Sequence, residues 1–308
     1  ALARLPKALT DGVLAKAFDG TQIATVLAGV LFRSWAEVPA ATAWNTYDPT
    51  VIWAGAENSG YGDIDTPGNY ELAARTSDRV DVYSLVSALA TSGLGYIYED
   101  SLGRISYADS DHRSAYLEAN GYIYLSANDA LASGISMMTR AGDIRNDVTI
   151  KYGATSSSEE SATDPASIAS YGTLAQIIST TLHNSADATD QANFYLSLRA
   201  YPQAAFNSIT WELTTSQLSD ANRDSLISVF MGMPVNVTDL PMNMVSGNFL
   251  GFVEGWSFSA SYNSVSVSLN MSPLAFSLQA MRWNSVPNTE LWNTVNPTLE
   301  WLDATLVS

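Results

Sequence analysis

Val265-Ser266-Val267-Ser268-Leu269-Asn270-Met271 alternates apolar and small polar residues without a break. Period two is the mark of a β-strand with one buried face, and here the other face carries hydroxyls and an amide. Tyr262-Asn263-Ser264, just upstream, reads as a tight hairpin turn between this run and the one before it. The same alternation recurs around Phe206 and Ile209-Trp211-Leu213, at Val235 and Val237, and at Val148, Ile150 and Tyr152. Residues 119–275 are therefore expected to be dominated by strands, interrupted by one helix within Thr173–Arg199 and a shorter one within Asp220–Met231, where Leu226, Val229 and Phe230 share a face. The Ser- and Glu-rich stretch Thr155–Ala166 is expected to be a mobile loop.

Upstream, residues 1–118 read as mixed α and β. Asp19-Gly20-Thr21 precedes Ile23, Val26, Leu27, Val30 and Leu31, the spacing of a helix with one buried stripe. Val82, Leu85, Val86 and Leu89 form a second stripe, and Gly93 is placed to end that helix in a left-handed conformation. A Gly-, Asn-, Asp- and Pro-rich loop, Glu57–Asn69, joins the two helices. After the second, Tyr96-Ile97-Tyr98-Glu99 and Arg104-Ile105-Ser106-Tyr107 flank Asp100-Ser101-Leu102-Gly103 as a hairpin.

Residues 276–308 differ from both. Trp283, Trp292 and Trp301 stand at a constant spacing, and Pro287 and Pro297 oppose helix, so the expectation is an extended tail. Such a tail cannot bury three indoles by itself. Trp283, Trp292 and Trp301 are therefore candidate subunit-interface anchors, the alternative being a tail folded back on its own domain.

The chain has 308 residues, 14 basic and 31 acidic, for a formal net charge of −17. That balance excludes a protein that grips duplex nucleic acid through clustered Lys and Arg, and it opposes docking on an anionic membrane. Only 15% of residues are charged against 46% hydrophobic, so the chain reads as globular and not as an acidic disordered segment. The absence of cysteine excludes disulfides, thiolate metal sites and a cysteine nucleophile. The longest apolar stretches, Ile23–Phe32 and Val82–Leu89, fall short of the roughly 20 residues a membrane-spanning helix needs, so no stable membrane insertion is expected.

Catalytic punctuation is missing: there is no GxSxG, HExxH, GxxxxGK[ST] or strand-borne GxGxxG. Asp109-Ser110-Asp111-His112 has the residue types of a metal or acid–base cluster, yet a short local match of this kind reads more simply as a solvated turn. Asp63-Ile64-Asp65 lacks the glutamate that an EF-hand loop needs at its twelfth position. His183, after a helical run, reads as a helix C-terminal residue favoured by the dipole. No catalytic residue, cofactor or resident metal is assigned, and the chain is expected not to be an enzyme.

The order of motifs carries a resemblance. Val82–Ala90 leads into Gly95–Tyr107, followed by Asn146-Asp147-Val148-Thr149-Ile150 and Asp164-Pro165-Ala166-Ser167-Ile168-Ala169-Ser170-Tyr171-Gly172. Then come Arg199-Ala200-Tyr201-Pro202, Leu240-Pro241, Phe249–Trp256, Ser272-Pro273 and the Trp-rich ending. Each motif is loose; the series, over about residues 80–305, resembles the minor tail proteins of long-tailed actinobacterial phages. Those proteins are similar to the baseplate hub proteins at phage tail tips. The family's strand-rich segment before a helix like that at 20–33 has no counterpart here, so the start is expected to be truncated and part of one barrel to lie outside this sequence.

The resemblance implies an α+β, mainly β fold: a tail-tube-like β-barrel hub domain at 119–275, a smaller mixed α/β peripheral domain within 1–118, and the extended tail at 276–308. It implies a structural virion protein at the distal end of the tail, forming the hub ring that closes the tube and lets DNA pass at ejection. The implied partners are further copies of the chain, most simply as a trimer, the distal tail protein, tail tube and tape measure protein, and a central fibre or other tip proteins. DNA in transit would meet like charge and bind nowhere specifically. Two other readings remain, a tail-associated hydrolase acting on cell-wall or receptor glycans and a glycan-binding module using exposed Tyr and Trp.

Overall fold

A computed structural model describes residues 2–35, 64–99, 105–131, 136–139, 141–202, 204–240 and 248–273. In chain order the elements are β1 (Leu9–Thr10), β2 (Ala17–Phe18), α1 (Asp19–Trp35), β3 (Glu71–Leu72), β4 (Val80–Asp81), α2 (Val82–Ser92), β5 (Tyr96–Glu99) and β6 (Ile105–Ala108). There follow α3 (His112–Asn120), β7 (Ile123–Ser126), β8 (Ser136–Thr139), β9 (Asp147–Tyr152), β10 (Ser158–Thr163), α4 (Pro165–Tyr171), β11 (Ala175–Ser179) and α5 (Ser185–Arg199). The last are β12 (Ala204–Glu212), α6 (Asp220–Ile227), β13 (Pro234–Thr238), β14 (Phe249–Ala260) and β15 (Val265–Pro273).

Two compact units form. One draws on Ala1–Arg113 and Arg145–Leu196, the other on Ser114–Ile144 and the chain from Ser197 onward. The strands expected to form one block over 119–275 are, however, shared out, because β9, β10 and β11 belong with the N-terminal residues. The reason is burial: Val148 and Ile150 on β9 share a core with Ile23, Leu27, Leu72, Val82, Leu85, Val86 and Leu89. Period two identified β9 as a strand, but it cannot say which sheet a strand joins.

In the first unit, α2 starts where the Asp81 side chain accepts a hydrogen bond from the Ser84 N–H at 2.8 Å, an N-cap. Its end differs from expectation. Gly93 has φ −89°, and Leu94 takes the left-handed value of 55°. Glycine is needed at 93 for space: a Cβ there would lie 2.6 Å from Asp19 Oδ2 and 2.7 Å from the Tyr107 hydroxyl. The stretch expected to be a mobile loop is ordered. β10 pairs antiparallel with β9 along its whole length, and Asp164 then caps α4, accepting from the N–H groups of Ala166 at 3.0 Å and Ser167 at 2.9 Å, with Pro165 at the first turn. β11 joins the other side of β9 in parallel, and the helix expected within Thr173–Arg199 is α5, which follows it. Buried Asn146 holds this corner, donating to the Gly172 carbonyl at 2.8 Å and accepting from the Leu174 N–H at 2.7 Å.

The second unit is built on a six-stranded sheet of order β7-β13-β14-β15-β12-β8. Trp211, Val267, Leu269, Ile209, Val235 and Val237 are fully buried on one face, beneath Leu226 of α6 and Val229. Trp211 satisfies its indole N–H by donating to the Ser126 carbonyl at 3.2 Å. The turn at Tyr262-Asn263-Ser264 stands where the alternation placed it, between β14 and β15. Of the expected tail-tube-like β-barrel, part of which was expected to lie outside this sequence, the described residues show an open sheet with β7 and β8 at its ends. Alternation predicts a two-faced sheet equally well for an open or a closed one.

Candidate functional site

The Asp109-Ser110-Asp111-His112 turn is the densest group of titratable side chains that the sequence singled out. It follows β6 and begins α3. Asp109 Oδ1 accepts from the N–H groups of Asp111 and His112, both at 3.0 Å, so this carboxylate caps the helix. The partner of His112, invisible in the sequence, is Asp65. His112 Nδ1 lies 2.7 Å from Asp65 Oδ2, which also accepts from the Asp109 N–H at 3.1 Å. Asn69 donates to Ser110 Oγ at 2.9 Å. The hydrogen bond to Asp65 raises the His112 pKa against the opposing effect of burial, and burial raises that of Asp109. Backbone donors and the imidazole occupy these oxygens, and among the described residues no group of His, Asp and Glu is arranged to hold a metal ion. Asp63, of the Asp63-Ile64-Asp65 stretch that lacks the EF-hand glutamate, lies outside the described residues.

Behind this turn is a site the sequence did not disclose. Asp19, the first residue of α1, is fully buried. Its carboxylate accepts a short hydrogen bond from the Tyr107 hydroxyl and another from the Tyr70 N–H at 2.9 Å. Burial raises the Asp19 pKa, and these hydrogen bonds oppose the rise. Burial and the neighbouring Asp19 raise that of Tyr107. Gly68 and Gly93 leave room for the carboxylate, since a Cβ on either would come within 2.6 Å of an Asp19 oxygen. A helix-opening aspartate usually faces water, so nothing in the sequence distinguishes this one. The two ionisable groups are spent on each other and on a backbone amide, which makes the pair a structural tie between α1 and β6.

His183 does not end a helix. It lies between β11 and α5, and its N–H donates to the Glu71 carbonyl at 2.8 Å. Trp283, Trp292 and Trp301 lie outside the described residues.

The remaining organised surface is the six-stranded sheet. Register places Thr210, Ser268 and Ser257 in one cross-strand row of its polar face and Glu212, Ser266 and Ser259 in the next. Thr210 donates to Ser268 Oγ at 3.1 Å. Glu212 closes this end of the sheet, accepting from Ser264 Oγ at 2.8 Å and the Val265 N–H at 3.0 Å; these bonds, led by that from Thr214, lower its pKa. The opposite face carries Ile209, Leu269 and Trp256 in one row and Trp211, Val267 and Phe258 in the next. A bulge between Val253 and Gly255 reverses the alternation of β14, which brings Trp256 and Phe258 to the apolar side.

An open sheet of this kind, joined to an α/β unit, defines a class by fold. The chain superposes on the tail protein from Neisseria meningitidis MC58 with a TM-score of 0.55 and 12% identity, over 89% of this chain and 73% of that one. It therefore has the fold of that tail protein. Weaker likenesses are to the 43 kDa tail protein of prophage MuSo2 from Shewanella oneidensis, with TM-score 0.46, 11% identity and 87% and 68% of the two chains. The prophage tail protein gp18 from Listeria monocytogenes gives 0.44, 10%, 87% and 69%. No family model matches the chain, and no curated protein does.

Proposed function

We propose that the chain is a structural protein of a phage tail, and more finely a hub protein at the distal tip. Copies of it, most simply three, form the ring that closes the tube, carry the central fibre and let DNA pass at ejection. The observation that carries this reading is the superposition over 89% of the chain on a tail protein. The two-faced open sheet supports it, because a sheet with free ends and a hydroxyl face is suited to joining neighbours around a wet lumen. A net charge of −17 suits a conduit for a polyanion. The role is structural and not catalytic: the one histidine–carboxylate pair among the described residues is engaged in capping a helix and tying a loop. Distal tail protein, tube and tape measure protein are the neighbours this position entails.

Locating the chain in an intact virion reconstruction tests the proposal. Density for it at the distal end of the tail, as a ring, is the expected result; density on the capsid or tail shaft alone refutes it. Incubation with purified peptidoglycan separates the hydrolase reading, and release of soluble fragments would overturn the structural one.

A further inference from the structure

The β14–β15 hairpin outruns the sheet that supports it. β13 pairs with β14 only between Phe249 and Phe252, whereas β14 continues to Ala260. Past the bulge, among the described residues, no strand pairs with the outer edge of Gly255–Ala260, about 20 Å of backbone at roughly 3.4 Å per residue. On the other side the hairpin is fully braced, with β12 paired to β15 as far as Glu212 and Ser266.

Side-chain exposure marks the same limit. Within the single row Trp211–Val267–Phe258, Trp211 and Val267 are fully buried, while Phe258 is 48% exposed. The core face thus continues beyond its own cover. At the turn, Tyr262 is entirely exposed. Free strand edges are normally protected by a charge or a proline. From Gly255 to Ser264 there is neither, and no charged residue occurs between Glu254 and Arg282.

We propose that this hairpin is a self-association surface, and that Gly255–Ala260 adds as a strand to a second copy of the chain. The proposal rests on the ring-forming role above. Charge selects the partner. Two copies of a chain of net charge −17 repel wherever their carboxylates meet, so they approach most easily where neither brings charge. The hairpin is one such place. The end strand β8 on the far side of β12 is another, lying in a run without charge from Ala130 to Thr139. Two different uncharged edges of one sheet, the overhanging part of β14 and the outer strand β8, allow a head-to-tail contact, which forms a ring where the rotation closes.

The test compares the full chain with Phe258→Asp and Tyr262→Asp by light scattering over a range of concentrations, with thermal midpoints measured alongside. A carboxylate at either position opposes a like-charged partner and must be desolvated, so self-association should weaken about tenfold or more. The exposed position of Tyr262 keeps its variant foldable, and an unchanged midpoint separates lost association from lost folding. If both variants assemble as the unaltered chain does, the hairpin is not the interface, and the ring-forming role stands without it. If the unaltered chain is monomeric at every concentration, the ring-forming reading fails and the hairpin proposal with it.

Discussion

Replacing Tyr107 by Phe removes one oxygen from the centre of the first unit and leaves the ring in place. The Tyr107 side chain is 1% exposed, and its hydroxyl donates to the carboxylate of the fully buried Asp19. With that donor gone, only the Tyr70 and neighbouring backbone amides remain to hold the charge. A hydrogen bond to a charged group contributes about 1.5–3 kcal/mol, and the substitution creates no large cavity, so the loss should fall in that range at pH 7. For a unit of about 150–250 residues each kcal/mol lowers the midpoint by roughly 2–4 °C, giving a fall of about 3–12 °C by calorimetry. The pH dependence is the sharper check. Burial raises the folded pKa of Asp19 above its ordinary 3.8. The folded state therefore binds the extra proton between those two values, and stability falls as pH rises through that window. Losing the Tyr107 donor moves the folded pKa higher still. The gap between the two proteins should be full above the window and narrow as pH falls through it, because a protonated carboxyl tolerates a missing donor better. A shift under 1 °C at pH 7, or a gap that widens toward acid, would refute this account of the pair.

Gly93→Ala places a Cβ against both Asp19 Oδ2 and the Tyr107 hydroxyl, and overpacking of this kind costs about 1–3 kcal/mol; combined with Tyr107→Phe the loss should be less than additive in calorimetry, since one of the two clashes is gone. The chain has two histidines, so a proton NMR titration resolves His112 directly; it should titrate above its ordinary 6.5, and Asp65→Asn should bring it down. Because the folded pKa of His112 is raised, its contribution to stability is complete below 6.5 and is lost as pH rises through the folded value, and Asp65→Asn should flatten that part of a stability–pH curve. Trp292→Ala should reduce the assembled fraction in light scattering while leaving the midpoint of thermal unfolding in place; unchanged assembly would remove Trp292 from the interface.

What could be read from residue order was whatever repeats locally. Val82, Leu85, Val86 and Leu89 are buried as their helical spacing requires, and Val267, Leu269 and Met271 as their alternation requires. The hairpins at β5–β6 and β14–β15 needed only a turn between two such runs. Partnerships across long separations were not legible. β9 joins the N-terminal helices because Val148 and Ile150 complete their core, and the order of the chain between them carries no trace of it. Thr155–Ala166 looked like a loop because Ser158–Thr163 has little apolar character, yet β10 is held through its backbone pairing with β9, which makes no demand on side chains. The site followed the same rule. Asp109 and His112 were visible as neighbours, whereas Asp65, 47 residues from His112, was not connected to them. Asp19 was hidden more deeply, since its burial depends on glycines at 68 and 93 that meet it only in the fold.

The bulge in β14 shows why a pattern can be right about a strand and silent about its use. Before it, Phe249 and Val253 face the core; after it, the same face is taken by Trp256 and Phe258, even-numbered where the earlier residues are odd. Strict alternation would have put Ser257 and Ser259 on the apolar side and Phe258 among the hydroxyls. With the bulge, Ser257 and Ser259 instead extend the rows begun by Thr210 and Glu212, so the hairpin keeps its hydroxyls on one side, while nearer β13 the same side carries Leu250 and the fully buried Phe252, packed with Leu117 and Tyr122. Along the hairpin this face is made of hydroxyls, with Glu212 held at its edge by Ser264 and the Val265 N–H. If that face lines a conduit, DNA would slide past neutral hydroxyls, and the carboxylates that make up the −17 would matter only within about 8–10 Å of the DNA, the Debye length at ordinary salt. Transit would then depend on salt only weakly at the wall itself, and Ser257→Lys with Ser259→Lys should retain DNA in a filter-binding assay at low salt where the unaltered protein does not. Equal, negligible retention by both proteins would show that this face does not meet DNA.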